Sequence, residues 1–344
     1  MAYTTIDDPT IYFNTKLWTG TGSENAITGV GFQPDWVWIK NRAAAENHKL
    51  YDAVRGATKN IYSNLSNAEG TDTQSLKSFD SDGFTLGTEG ALNANGQNIV
   101  GWNWKANGSG SANTDGSINS TVSVNTTSGF SIVTYTGNDT NSTVGHGLGK
   151  VPKIIMVKQL NGTNDWRVYT SMTGNTSQMS LNTNAAPDSG NTEMWNSTTP
   201  TDNLFYLGTH GSVNGGSDTY IAYCFAEIQG YSAFGKYRGN AVATDGTFVN
   251  CGFRPSMVIQ KRLDGSENWY IFDEKRDGFN EDNEYLFPNL TQAESSGINR
   301  VNLLSNGFKL MTTDGGNNAN GGPYLYMAFG QTLVGSNDVP VNAR

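Results

Sequence analysis

Cysteine is almost missing from this chain: Cys224 and Cys251 are the only two in 344 residues. Two cannot build a disulfide framework, and each lies in or beside an apolar stretch. Both read as small buried thiols and not as redox or metal groups. Charge is also scarce. Asp, Glu, Lys and Arg make up 15% of the chain, with a formal net charge of −9 and no basic tract. Nucleic-acid binding is therefore not expected, because phosphate contacts need clustered Lys and Arg. Long apolar runs are absent as well. Runs such as 154–157 hold four residues and the longest, at 220–226, holds seven, against the ~20 that span a bilayer, so no membrane insertion is expected. The opening MAYTTIDDP has no basic n-region and no apolar h-region, so a secretory leader is not expected either. No Gly-x-Ser-x-Gly elbow, Gly-Lys-Ser/Thr phosphate loop or dinucleotide fingerprint occurs.

What the chain does have is glycine (41 residues), Asn, Ser and Thr in quantity, and 8 Trp, 15 Tyr and 15 Phe. Turn formers without helix formers point to an all-β protein, and that many aromatics argue against disorder.

One stretch is written three times. Residues 31–42 (GFQPDWVWIKNR) return as 147–160 (GLGKVPKIIMVKQL) and again as 252–263 (GFRPSMVIQKRL). Each copy is a glycine, an apolar anchor, a proline (Pro34, Pro152, Pro255) and an apolar run closed by Lys40, Lys158 or Lys261. Proline suits the start of a strand, and the run after it is aromatic and β-branched. Its apolar residues are consecutive instead of alternating, which predicts strands covered on both faces. Two further landmarks keep the same order and nearly the same spacing: Leu86, Leu207 and Leu310, then Trp104, Phe225 and Phe329.

The expected fold is all-β: three tandem homologous β-sandwich-like modules, jelly-roll or lectin-like, of roughly 90–105 residues each. The divisions are an N-terminal arm (1–11), repeat 1 (12–106), a Gly/Ser/Asn linker (107–128), repeat 2 with its joint (129–235), repeat 3 (236–335) and a C-terminal tail (336–344). Within the linker, Val122 and Val124 suit a short edge strand.

Repeats 1 and 3 share Asp52 with Arg55 and Asp273 with Arg276, where repeat 2 has Thr170 and Thr173. A pair present in two copies and lost in the third is expected to be a salt bridge pinning a turn and not catalytic machinery. His48 stands where the other repeats have Trp166 and Trp269, so it is expected to pack at a sandwich rim. His146 and His210 have no second His or Cys at ligand spacing. Asp80-Ser81-Asp82-Gly83 imitates the start of a calcium loop but lacks its twelfth-position glutamate, so a tight turn is expected. Glu281, Asp282 and Glu284 read as a solvated loop and not as a glycosidase pair. No catalytic, cofactor-binding or metal residue is assigned, and no cofactor is expected.

Residues 220–240 (YIAYCFAEIQGYSAFGKYRGN), with 244–255 (TDGTFVNCGFRP), resemble a repeat module in virion proteins of marine tailed phages. The string at 31–40 and the ending VPVNAR (339–344) look like the same group. The resemblance implies a non-enzymatic tail-fibre or tail-spike component that contributes to host-surface attachment. A head-decoration or head-fibre protein is the alternative, and a polysaccharide depolymerase the weaker one. It also implies a homotrimer, other virion tail proteins as partners, a host surface glycan or protein as target, and assembly into the virion in the host cytoplasm.

Overall fold

The computed structural model of the protein describes residues 4–6, 8–276, 280 and 284–332. The 336–344 tail, part of the 1–11 arm, and Glu281 and Asp282 of the acidic loop lie outside the described residues. The described chain is nearly all β, with a 3-10 turn at Pro9–Ile11 and three single-turn α-helices, Gly90–Asn93, Gly211–Asn214 and Gly315–Asn318.

Three large antiparallel sheets share one strand order. In the first sheet, Phe13–Thr19, Asn98–Trp104, Trp36–Asn41 and Lys49–Asp52 lie side by side. In the second the order is Phe130–Thr136, Thr219–Phe225, Ile154–Gln159 and Arg167–Thr170. In the third it is Ser232–Arg238, Pro323–Thr332, Phe253–Arg262 and Tyr270–Asp273. Each time the central strand after the key proline pairs with the last strand and with the strand that follows it. A smaller antiparallel layer accompanies each sheet, built on Gly83–Leu86, Leu204–Leu207 and Gly307–Leu310.

The consecutive apolar residues now have two destinations. Val37 and Ile39 face the small layer of the first sheet, while Trp36 and Trp38 face the other way. Ile155 and Val157 divide from Ile154 and Met156 in the same manner, and Val258 from Met257 and Ile259. The outward faces make three separate cores. The inward faces of all three sheets make one, because side chains alternate sides along a strand. Trp104, Phe225 and Phe329, the recurring anchors, meet there. The rings of Trp104 and Phe225 each lie 5.7 Å from that of Phe329, and Trp36 lies 4.4 Å from Trp104 and 6.0 Å from Phe225. The three large sheets are thus wrapped around a common centre.

The prolines behave as punctuation. Pro152 is buried just before Ile154–Gln159, and Pro34 stands two residues before Trp36–Asn41. Pro255 instead lies inside Phe253–Arg262, where the pairing with the last strand slips between Pro255 and Met257. A proline inside a strand is tolerated at such a bulge. The first strand of each large sheet ends on a close approach. A β-carbon on Gly20, Gly137 or Gly239 would sit 2.1, 2.4 or 2.4 Å from the carbonyl oxygen of Ala94, Gly215 or Ala319. Only glycine lets the strand end lie against the short helix. Beside it, Asn93, Asn214 and Asn318 are each fully buried. Each amide Nδ2 donates to two backbone carbonyls, and each Oδ1 accepts a backbone N–H.

Two expectations change. Residues 107–128 do more than link, since Ser111–Asn113 and Ser120–Asn125 extend the second sheet. Ser120–Asn125 holds Val122 and Val124, but the edge position belongs to Ser111–Asn113. The 236 boundary falls inside the strand Ser232–Arg238, so the joint at 226–235 already contributes to the third sheet.

Phe329→Ala or Trp104→Ala removes a ring from the common core, and each is expected to cost about 3–5 kcal/mol. Urea unfolding of each variant checks this. A loss below about 1 kcal/mol would show that the centre is loosely filled.

Candidate functional site

The residues singled out in the sequence gather at the seams between the sheets. At the first–second seam, Asp52 is fully buried at the end of Lys49–Asp52. Its Oδ1 accepts the backbone N–H of Arg55 at 2.9 Å, and its Oδ2 accepts Arg55 Nε at 2.5 Å. That is the expected pinned turn. The same Oδ2 also accepts the hydroxyl of Tyr223, from the second sheet, at 2.8 Å. Arg55 continues to Glu69 Oε2 at 3.2 Å and to the Leu50 carbonyl at 3.3 Å.

The third–first seam repeats the design. Asp273 takes Arg276 N at 3.1 Å and Arg276 Nε at 2.5 Å, and accepts Trp102 Nε1 from the first sheet at 3.0 Å. The Arg276 guanidinium lies 5.8 Å from the Trp102 ring centre and donates to Glu294 Oε2 at 2.9 Å. The backbone follows suit: Glu69 N donates to Leu160 O, and Glu294 N to Arg42 O.

The second–third seam explains the missing pair. In the sequence, Met327 stands where the other repeats have Trp102 and Tyr223. A thioether carries no N–H or O–H to give a buried carboxylate, and a buried charge without such a partner is costly. Thr170 and Thr173 therefore occupy the Asp and Arg positions, and Thr170 turns its hydroxyl to Met172. This seam is held by Trp269 Nε1 on Ser180 O at 3.0 Å and by Lys261 Nζ on Asn184 O at 3.2 Å. Their counterparts at the first–second seam are Trp166 Nε1 on Tyr62 O at 2.7 Å and Lys158 Nζ on Ser66 O at 3.1 Å.

The recurring lysines are the least expected members of this set. Lys40, Lys158 and Lys261 are fully buried, each donating to backbone carbonyls, and burial lowers each ammonium to about 8. His48 does not sit at a rim. It is fully buried in the common core, where its Nδ1 accepts Trp38 Nε1 at 2.9 Å and its ring stacks on Trp102. Burial first, and then Lys40, keep it far below the usual imidazole range. His146 is buried with Nδ1 accepting Leu148 N, and burial lowers it to about 4. His210 caps Gly211–Asn214 by accepting Ser212 N. The calcium-loop mimic is a turn lock, with Asp82 accepting Gly29 N at 2.9 Å and Gly31 N at 2.6 Å.

Glu284 departs from the solvated-loop expectation. It and Glu294 each lie 2.6 Å from Arg42 Nη2, which ties the third sheet's connection to the first sheet. Burial first, and then Glu294, raise Glu284 to about 7. Burial also pushes Glu294 up, but Arg42 and Arg276 outweigh it and hold that carboxyl below its ordinary value. Among the described residues, no three His, Cys, Asp or Glu side chains group to hold a metal ion.

A groove of about 470 Å³ opens where the first–second seam reaches the surface, lined by Arg55, Glu69, Ser120, Thr121, Thr134 and Tyr220 among others. Hydroxyl groups dominate it, and its Arg and Glu already pair with each other. Such a surface suits hydrogen-bonded recognition of a polyhydroxyl or peptide ligand. The seam partners Trp102 and Tyr223 were not singled out in the sequence. The signal was present, because each stands two residues before an anchor and the pair follows the Asp–Arg pair in being absent from one repeat.

These features define an all-β protein of antiparallel sheets closed on a common aromatic core. Within that class, the chain belongs to the family described as a domain of unknown function, DUF7483, whose model matches residues 8–332 as one unit. No curated protein matches the chain.

Asp52→Ala leaves the Arg55 guanidinium buried without its partner and is expected to cost about 3–5 kcal/mol. Thr170→Val, at the matching place, is expected to cost under about 1.5 kcal/mol. Chemical unfolding of both variants checks the contrast. Glu284 holds its proton more firmly folded than unfolded. The stability from that proton is full below its ordinary value of 4.5 and is lost as pH rises through about 7. Glu284→Gln is expected to flatten this part of the stability profile, read as urea midpoints from pH 4.5 to 7.5. Parallel profiles would contradict it.

Proposed function

We propose that this chain is a virion component of a tailed phage, most simply a tail-fibre or tail-associated protein, that displays surfaces for contact with the host cell. In this reading it consists of three tandem copies of one β-sandwich module, and it is a scaffold without catalytic residues. The observation that carries the reading is the closure of three similarly ordered sheets on one aromatic core. The wording that the repeats share falls on that core and on the seam contacts, while the grooves differ from seam to seam. The resemblance of 220–255 to marine phage virion modules supports the setting, and the hydroxyl-lined groove supports a glycan or protein target.

The Asp–Arg pairs act as seam pins in this account. The acid pair at Glu284 and Glu294 is a clasp on Arg42 and Arg276. Other virion proteins are the partners. The three sheets close within one chain, so a homotrimer of this chain would stack complete units and would not complete a core.

Deleting the gene from a producing phage is expected to leave particles assembled and at least ten-fold slower to adsorb. Normal adsorption by such particles would overturn the attachment role, and loss of head stability would move the protein to head decoration.

A further inference from the structure

The third–first seam carries a second groove, of about 370 Å³, lined by Asn14, Thr15, Lys16, Leu17, Gly29 and Lys275. Its chemistry differs from that of the larger groove. Lys16 comes from Phe13–Thr19, an edge strand paired on one side only, and Lys275 from the Asp273–Arg276 turn of the third sheet. The two cations therefore meet only because the seam is closed. Nearby carboxylates are already engaged. Both oxygens of Asp82 accept backbone N–H groups of Gly29 and Gly31. Glu274 is held by Arg254 at 2.8 Å and is 3.5 Å from Lys275 Nζ. Lys16, Lys275 and Arg254 thus outnumber Asp82 and Glu274, in a chain whose formal net charge is −9.

A second observation points to a ligand. Thr15 is 6% exposed, lines this groove and the small cleft beside it, and its Oγ1 is buried with no hydrogen-bond partner. A buried hydroxyl without a partner costs free energy, and a ligand seated in the groove would supply one. Leu17, half-buried beside it, offers an apolar strip. Cations, a free hydroxyl, an amide and a short apolar wall together suit a sugar that carries a negative group.

We propose that the groove formed by Asn14, Thr15, Lys16, Leu17 and Lys275 binds an acidic saccharide, with Lys16 and Lys275 on its carboxylate or phosphate and Thr15 on a ring hydroxyl. The proposal rests on the surface-attachment reading for its biological setting, but binding is measured on the protein alone.

The test is calorimetric titration of the full chain with oligogalacturonate, a phosphorylated mannose, neutral galactose oligomers and inorganic phosphate. An acidic saccharide is expected to bind at least ten-fold tighter than the neutral oligomers and than phosphate, with affinity falling as salt is raised. Lys16→Ala with Lys275→Ala is expected to abolish binding while leaving the urea midpoint within experimental error, since both side chains reach solvent. Thr15→Ser is expected to keep binding and Thr15→Val to weaken it about ten-fold. Equal binding of phosphate and acidic sugar would overturn the saccharide assignment. No binding of any probe, or full binding by the double lysine variant, would overturn the site. Particles lacking the protein that adsorb normally would defeat the attachment reading and leave the calorimetric result untouched.

Discussion

Burial of both faces of the central strands is the constraint on which the rest of this structure depends. A strand such as Trp36–Asn41, buried at every position, cannot satisfy itself with one covering layer. The small layer takes Val37 and Ile39, and Trp36 and Trp38 then need a second cover. The other two large sheets provide it, and each has the same need. Three sheets closing on one another is the arrangement in which no inward face is left over. It also explains why one family model runs across all three sheets.

Closing that centre brings polar groups into the seams, and the chain treats them consistently. Every buried charge there meets a hydrogen-bonding partner from a neighbouring sheet or from its own turn. Asp52 and Asp273 receive a donor from an aromatic side chain of the next sheet, and the buried lysines donate to carbonyls. Where the neighbour supplies Met327, the acid and the arginine are replaced by threonines. The seams are therefore fitted pairwise, and each groove inherits the chemistry of the two sheets that form it. This is how three similar sheets yield unlike surfaces: hydroxyl-rich at one seam, cationic at another.

Much of this was legible in the sequence. The prolines, the consecutive apolar runs and the recurring Trp104, Phe225 and Phe329 gave the all-β class and the doubly covered strands, because burial on both faces leaves a direct mark on residue choice. The Asp–Arg pairs were readable as turn pins because they stand in two repeats and are lost in the third. The common core was not, since an inward tryptophan looks the same whether it covers its own sandwich or a neighbouring sheet. His48 was misplaced at a rim because its fully buried position depends on the third sheet closing against the first. The strand at 120–125 was readable from Val122 and Val124, whereas the edge strand at 111–113 escaped because Ser, Ala and Asn there carry no apolar alternation. Glu284 was misjudged because its clasp partner, Arg42, lies far away in sequence.

Native-state hydrogen exchange tests the central claim most directly. If the three sheets stand or fall together, the slowest amides of Trp36–Asn41, Ile154–Gln159 and Phe253–Arg262 are expected to exchange through one global opening. They would then share a single free energy equal to that of denaturant unfolding. Three distinct free energies, one for each sheet, would show independent modules that merely touch, and would contradict the account.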